Sequence, residues 1–262
     1  MTASKPPDPA DGAAQPPVGA VPAPEAPASE GLPLPMGTTP RFQKALDKAL
    51  ADWAAADPAR CAGLAGCQAV PGGVLVPFFG QPHLVTHPEG RVVPLSDEAA
   101  RAVASGGAPA APSDTPTKPV HVSIVILLLH YLLTADATPP AERWVQFREI
   151  PGGMFYAQAF EAHTGPPLGR LVADVDPDAF AAHVVAFRAA GARITGVDLD
   201  LADAALRFWA LPRLPVAALL WAGDDEFPGR AAILFDGHAH HYLPVEDLSG
   251  MGEWLAHRLA RG

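Results

Sequence analysis

Cysteine is almost missing from this chain of 262 residues, which has two, Cys61 and Cys67. Two cannot form the disulfide framework of a small secreted fold. Their C-x5-C spacing matches no common zinc or iron–sulfur pattern, and two ligands do not complete a site that needs four. They read as free thiols in a packed turn between a helix and a strand, with a redox pair as the functional alternative. Long apolar runs are missing too. The longest, Ile124 to Leu133, contains His130 and falls far short of the ~20 residues a membrane-spanning helix needs. The opening MTASKPPDPADG has neither the basic nor the apolar region of a signal peptide, so a cytoplasmic protein is expected. No Ser/His/Asp order, no C-x-x-C and no G-x-G-x-x-G is found, which removes support for nucleophilic, thioredoxin-like and dinucleotide chemistry. Charged residues make up only 18%, and their balance of −10 argues against a nucleic-acid surface or an anionic membrane as partner.

What is abundant is proline, at 31 residues, and apolar side chains, at 49%. The length and apolar content suit one sizeable core. Eleven prolines fall in the first 40 residues. Residues 1 to about 36 are therefore expected to be a disordered tail, removable without loss of stability, because they hold too little apolar surface to offset the entropy of ordering. Residues 105 to 119, SGGAPAAPSDTPTKP, share this composition and read as a flexible loop. Between and beyond these stretches, periodicity predicts helices over 40–56, 123–133, 154–163, 177–190 and 246–259. In the first, Thr39 caps, Pro40 fits the first turn, and Phe42, Leu46, Ala49 and Trp53 form one stripe. In the fourth, Asp176 caps and Gly191 terminates. Strands are expected over Val74–Phe79, His83–Thr86, Arg91–Val93, Trp144–Ile150 and Ala204–Leu211. No strict βαβ alternation is present. The expected class is α+β, helices packed on a mostly antiparallel sheet with the C-terminal strands as its core.

The stretch from Leu211 to Leu248 concentrates both the apolar and the polar signals. Val216–Trp221 and Ala231–Phe235 read as a hairpin around the turn Gly223-Asp224-Asp225-Glu226-Phe227-Pro228-Gly229. The uninterrupted apolar run to Trp221 implies a central strand buried on both faces. On that reading Trp221→Ala is severely destabilising, whereas His241→Ala, in a polar segment, is nearly neutral. Six acids and two arginines give the stretch a charge of −4. Three explanations compete: acids that are solvated or cap a helix, a divalent-metal site, and acid/base catalysis. The metal candidates are Asp224, Glu226, Asp236, His238 and His240. If the strand continued past Gly237, Asp236, His238 and His240 would share one face, and two histidines with a carboxylate suit zinc or non-haem iron. Asp236-Gly237 is also a turn signal, which would end the alternation and leave the histidines on a loop. Arg148 and Glu149 lie beside a Gly-rich turn, where they pair or hold an anion. His130 reads as a hydrogen-bonded core histidine.

LLLHYLL at 127–133, WVQFREIPGG at 144–153, FYAQAF at 155–160, LPRLPVAALLWAGDDEFPGRAAILFD at 211–236 and YLPVEDL at 242–248 occur in this order. Together they resemble the domain of unknown function 3786 family of bacteria and archaea over roughly residues 40 to 261. The acids of GDDEFP, LFD and LPVED match that family's pattern, and the histidines after Asp236 fall outside it. Some members are joined to a small cysteine-rich iron–sulfur domain, so the resemblance implies anaerobic or redox metabolism. The tail here lacks cysteine, which assigns any cluster to a partner protein. The expected function is an accessory or binding protein acting with a metal- or iron–sulfur-dependent partner. The alternative is a metal-dependent, hydrolytic enzyme built on the C-terminal Asp/His cluster.

Overall fold

The computed structural model describes residues 39–107, 120–173 and 176–261. The tail over 1–36 lies outside them, as does the 108–119 part of the loop expected over 105–119. Two antiparallel sheets and the helices packed on them make the fold α+β.

Helix α1 (Pro40–Ala55) starts with proline in its first turn, where no amide hydrogen is needed. Thr39 holds the cap position, but its side chain makes no capping hydrogen bond. Leu46, Ala49 and Trp53 are buried, and the Trp53 indole N–H donates to the Thr86 carbonyl at 2.8 Å. Asp57-Pro58 ends this helix and at once starts α2 (Pro58–Ala65), because the Asp57 carboxylate accepts from the amides of Ala59 and Arg60. A stop signal for one helix was thus also the start signal of another. Gly66 closes α2 with φ 68°, a conformation that favours glycine.

Strands β1 (Gln68–Val70), β2 (Gly73–Phe78), β3 (Gln81–Thr86) and β4 (Val92–Pro94) form the first sheet in that order. The short helix α3 (Asp97–Ala104), capped by the Ser96 hydroxyl, was not anticipated. Helix α4 (Val122–Thr134) is buried over most of its circumference and packs on α1 and α2. The Tyr131 hydroxyl donates to the Ala65 carbonyl at 2.6 Å and accepts from the Arg213 amide at 3.1 Å. Among the described residues no helix is long and apolar enough to cross a membrane.

The strand expected over Trp144–Ile150 is shorter, with β5 (Trp144–Gln146) followed by a 3-10 turn over Phe147–Glu149. The Glu149 carboxylate reaches back to the Gln146 amide at 2.7 Å and winds the chain there. Helix α5 (Gly153–Gly169) runs past the expected end and through Pro166 and Pro167. Helix α6 (Pro177–Ala192) contains Gly191 rather than ending on it. A Cβ at Gly191 would stand 2.2 Å from the Leu206 side chain, so this glycine sets how closely the helix approaches the sheet.

The second sheet has the order β5-β9-β8-β7-β6, adding β6 (Val197–Asp198), β7 (Ala204–Leu211), β8 (Leu214–Trp221) and β9 (Arg230–Asp236). The expected hairpin is β8–β9, with Val216 opposite Phe235 and Trp221 opposite Arg230. Strand β8 is central, and every residue from Leu214 to Leu220 is buried. Val216, Ala218 and Leu220 join the main core. Ala217 and Leu219 join a smaller apolar cluster on the opposite face, with Trp144, Trp221 and Leu234 packed against it. Helix α7 (Val245–Ala260) buries Leu248, Met251, Leu255 and Leu259 and lies against α5 and α6. The sheets meet where the Phe79 amide donates to the Ala210 carbonyl at 2.9 Å, with Trp254 of α7 stacked on Phe79.

Trp221 is not the anchor that its apolar run suggested. It ends β8, is half-buried, and carries the Arg230 guanidinium 5.1 Å from its ring centre. Fully buried aromatics of this sheet are Phe208 on β7 and Phe235 on β9, each at 0% exposure. Phe208→Ala is expected to cost about 3–5 kcal/mol in urea unfolding, and Trp221→Ala about 1–2 kcal/mol. Equal losses would show that both sheet faces contribute alike.

Candidate functional site

The antiparallel order brings the end of β9, the start of β8, the end of β7 and the start of β5 to one end of the second sheet. Trp144 faces Asp236 and Leu211 faces Leu214 there. The loop from α4 to β5, residues 135–143, covers this end.

Asp236 organises the place. It is 3% exposed. Its carboxylate accepts from the amides of Ala141 at 2.8 Å, Glu142 at 3.0 Å and His238 at 2.9 Å. Three main-chain donors match a carboxylate's acceptor positions, so the charge is compensated without a cation. Next to it the Gly237 amide donates to the Arg143 carbonyl at 2.9 Å. The strand stops at Asp236, and Ala239–His241 form a 3-10 turn. The alternation that would have aligned Asp236, His238 and His240 therefore does not occur, and the turn signal in Asp236-Gly237 prevails.

The histidines grip the covering loop. His238 donates from Nδ1 to the Pro139 carbonyl at 2.8 Å. His241 Nδ1 lies 2.7 Å from the Asp136 carboxylate and 3.3 Å from the Thr138 hydroxyl. The Tyr242 hydroxyl donates to the Thr138 carbonyl. The rings of His240 and His241 have centroids 4.4 Å apart, and those of His238 and His241 5.3 Å apart. His240 Nδ1 is buried with no hydrogen-bond partner among the described residues. Burial, then the neighbouring His241 and His238, push the His240 imidazole below its ordinary value. The hydrogen bond from His241, followed by those from Thr138, holds the Asp136 carboxyl well below the usual carboxylate range. The expectation that His241 is unimportant for folding thus meets a residue with two partners.

The candidate ligands are divided between the two ends of the sheet. Asp224 and Glu226 sit in the β8–β9 turn, where the Asp224 carboxylate accepts from the amides of Glu226 at 2.9 Å and Phe227 at 2.7 Å. This local bonding is what an aspartate does in a tight turn. The seven residues of β9 separate that turn from Asp236, a length of roughly 20 Å at about 3.4 Å per residue. Asp236, His238 and His240 are neighbours at the other end, where Asp236 and His238 are bonded to the main chain. Among the described residues no three of His, Cys, Asp and Glu gather as a metal-holding group.

Glu246 and Asp247 bond to distant side chains. Glu246 accepts from the Tyr156 hydroxyl at 2.7 Å. Asp247, in the first turn of α7, lies 2.5 Å from His130 Nδ1 on α4. His130 is hydrogen-bonded as expected, though it is half-buried rather than fully enclosed. Its bond to Asp247 raises the imidazole above its ordinary value against the opposing effect of burial. The two thiols are free. Burial pushes Cys67 up to about 12, and burial together with Asp57 raises Cys61, so neither is a ready thiolate. Sequence reasoning missed Asp136 and Thr138, and it gave Tyr242, quoted in the YLPVEDL block, no role. The signal for the first two was a short polar stretch after α4, with nothing to mark its partner about a hundred residues on.

Fold and site together define an α+β protein whose carboxylates serve mainly as acceptors within its own turns and helix contacts. The chain belongs to the family described as Domain of unknown function (DUF3786), whose model matches residues 57–258. That match runs from the cap of α2 into the last turns of α7 and takes in the whole second sheet. No curated protein and no solved structure matches the chain.

Two tests follow from the bonding. Asp236→Ala removes the acceptor of three amides and is expected to cost about 3 kcal/mol or more, against about 1 kcal/mol or less for Asp224→Ala in its exposed turn. Denaturant melts compare them, and a small loss at Asp236 would refute its role as clamp. His130 has a raised folded-state value against 6.5 for the ordinary group. Its contribution is therefore complete below about pH 6.5 and is lost as pH rises through the raised value. Wild type should exceed His130→Gln in stability most at about pH 6 and least at about pH 9, as read in paired thermal melts. A constant difference would show that the pair does not titrate.

Proposed function

We propose that this protein acts by binding, as a cytoplasmic accessory protein working with a metal- or iron–sulfur-dependent partner. The observation that carries this reading is the start of α5. Phe155 is 89% exposed and Met154 beside it 67% exposed. Tyr156 next to them is tied to Glu246 of α7, which gives the pair a fixed base. Two adjacent large apolar side chains held in water on one helix turn suit a docking contact. The residue bonding described above supports the same reading, because Asp236, Asp224, Glu246 and Asp247 are each engaged within the fold. The iron–sulfur character of the partner rests on the family resemblance. A metal-dependent hydrolase would instead need Asp236 and His238 to exchange main-chain partners for a metal.

Affinity purification of the tagged protein from its source cells under anaerobic conditions, followed by metal analysis, tests this. The wild type is expected to carry an iron-containing partner at near-stoichiometric level, and Met154→Ser/Phe155→Ser to lose it while keeping its melting temperature. Partner retention by the double variant would overturn the docking assignment. A stoichiometric transition metal in the isolated chain, lost in His238→Ala, would establish the hydrolase reading instead.

A further inference from the structure

The helices of this fold gather on one face of the second sheet. Leu206 of β7 meets Gly191 of α6, and Phe235 of β9 meets Phe160 of α5 and Gly252 of α7. Side chains alternate along a strand, so the residues flanking Leu206 and Phe235 point the other way. Among the described residues, the segment over 199–203 packs on that second face, with Leu199 and Ala202 against the buried Ala205, Ala217 and Leu219. Around it, Val197 opposite Arg207 is 56% exposed, Leu201 45% and Trp209 44%. Trp144 and Trp221 on the same face are half-buried. The Arg207 and Arg230 guanidinium groups lie 5.8 Å and 5.1 Å from the ring centres of Trp209 and Trp221. From Ala205 to Trp209, Pro215 to Trp221 and Arg230 to Leu234, the outward positions hold only Ala, Leu, Pro, Trp and Arg. Tryptophan and arginine are the residues that protein interfaces favour.

Charge and area select the occupant. The whole chain carries −10, so two copies repel unless the surfaces that touch are balanced. This face is balanced, with Arg207 and Arg230 matched by Asp200 and Asp203, both exposed on the 199–203 segment. The placement is also reciprocal. Asp203 precedes β7 and Arg230 opens β9, the strands on either side of β8, and both lie at the Trp221 end. A two-fold axis parallel to β8 exchanges the β7 and β9 sides and keeps that end in place, so each Arg230 comes over the Asp203 of the other copy. Sheets packed face to face keep their strands aligned to within about 30° in this way. Five strands about 4.8 Å apart, with central strands about 27 Å long, offer roughly 500 Å² per copy. The pair would bury about 1,000 Å², the lower limit of a specific interface, so a dimer that dissociates on dilution is expected.

We propose that this face is the contact between two copies of the chain, packed sheet to sheet across β7, β8 and β9 about a two-fold axis along β8. Helix α5 packs on the other side of the sheet, against Phe235. The contact is therefore separate from Met154 and Phe155 and does not depend on the role given to them.

Sedimentation of the full chain between about 5 and about 200 µM tests the dimer. Wild type is expected to shift from monomer to dimer over that range. Leu201→Glu/Trp209→Glu should stay monomeric throughout with an unchanged circular dichroism spectrum, and Met154→Ser/Phe155→Ser should dimerise like wild type. Arg230→Asp and Asp203→Arg should each be monomeric alone and dimerise when mixed, because only the mixture restores both opposite-charge contacts. The mixing experiment decides the matter if the glutamate variant does not fold. A wild type that remains monomeric at the highest concentration would overturn the proposal. If that monomer binds polyglutamate through Trp209, the face belongs to an acidic partner instead. A dimer that survives Leu201→Glu/Trp209→Glu, one lost in Met154→Ser/Phe155→Ser, or a charge-swapped mixture that stays monomeric would also overturn it.

Discussion

A buried carboxylate bonded to three main-chain amides is the contact from which the rest of the second sheet's end takes its shape. Asp236 finishes β9, orients the Ala141 and Glu142 amides of the covering loop, and through His238 begins the 3-10 turn. Donors supplied by the backbone leave a carboxylate less to lose than a pairing side chain would, because they are fixed by the chain on either side. Loop, strand end and turn are consequently one unit. The histidines that follow bond to the same loop, His238 to Pro139 and His241 to Asp136 and Thr138.

The parts of the fold that are local in sequence were legible. Val216–Trp221 and Ala231–Phe235 pair as a hairpin because an apolar run bounded by Gly and Pro has few other solutions. Ala204–Leu211 and the stripe Leu248, Met251, Leu255 and Leu259 also lie where periodicity places them. Errors arose where one signal had two meanings. Asp57-Pro58 ends α1 and also starts α2. Gly191 read as a terminator, yet it is a spacer against Leu206. Trp221 read as core from its neighbours, although its place at the strand end leaves one side open.

The site was legible in position and illegible in connection. Leu211 to Leu248 does hold the densest polar bonding at strand ends. Nothing in that stretch reveals that Asp236 bonds to Ala141 and Glu142, that His241 bonds to Asp136, or that Asp247 bonds to His130. Each partner lies some ninety to a hundred and twenty positions away, and no period in the sequence encodes such a distance. Asp224 and Glu226 looked adjacent to Asp236, His238 and His240 only because a hairpin is compact in sequence while its two ends are far apart in space.

The short edge strand β5 has a kinetic consequence. Strands β1 to β4 pair with close neighbours in the chain, as do β7, β8 and β9. Trp144 must find Asp236 across more than ninety intervening residues. Loop-closure entropy penalises that pairing until both flanking bodies are assembled. By that argument the sheet is expected to grow from its hairpin outward, with the β5 edge laid down last.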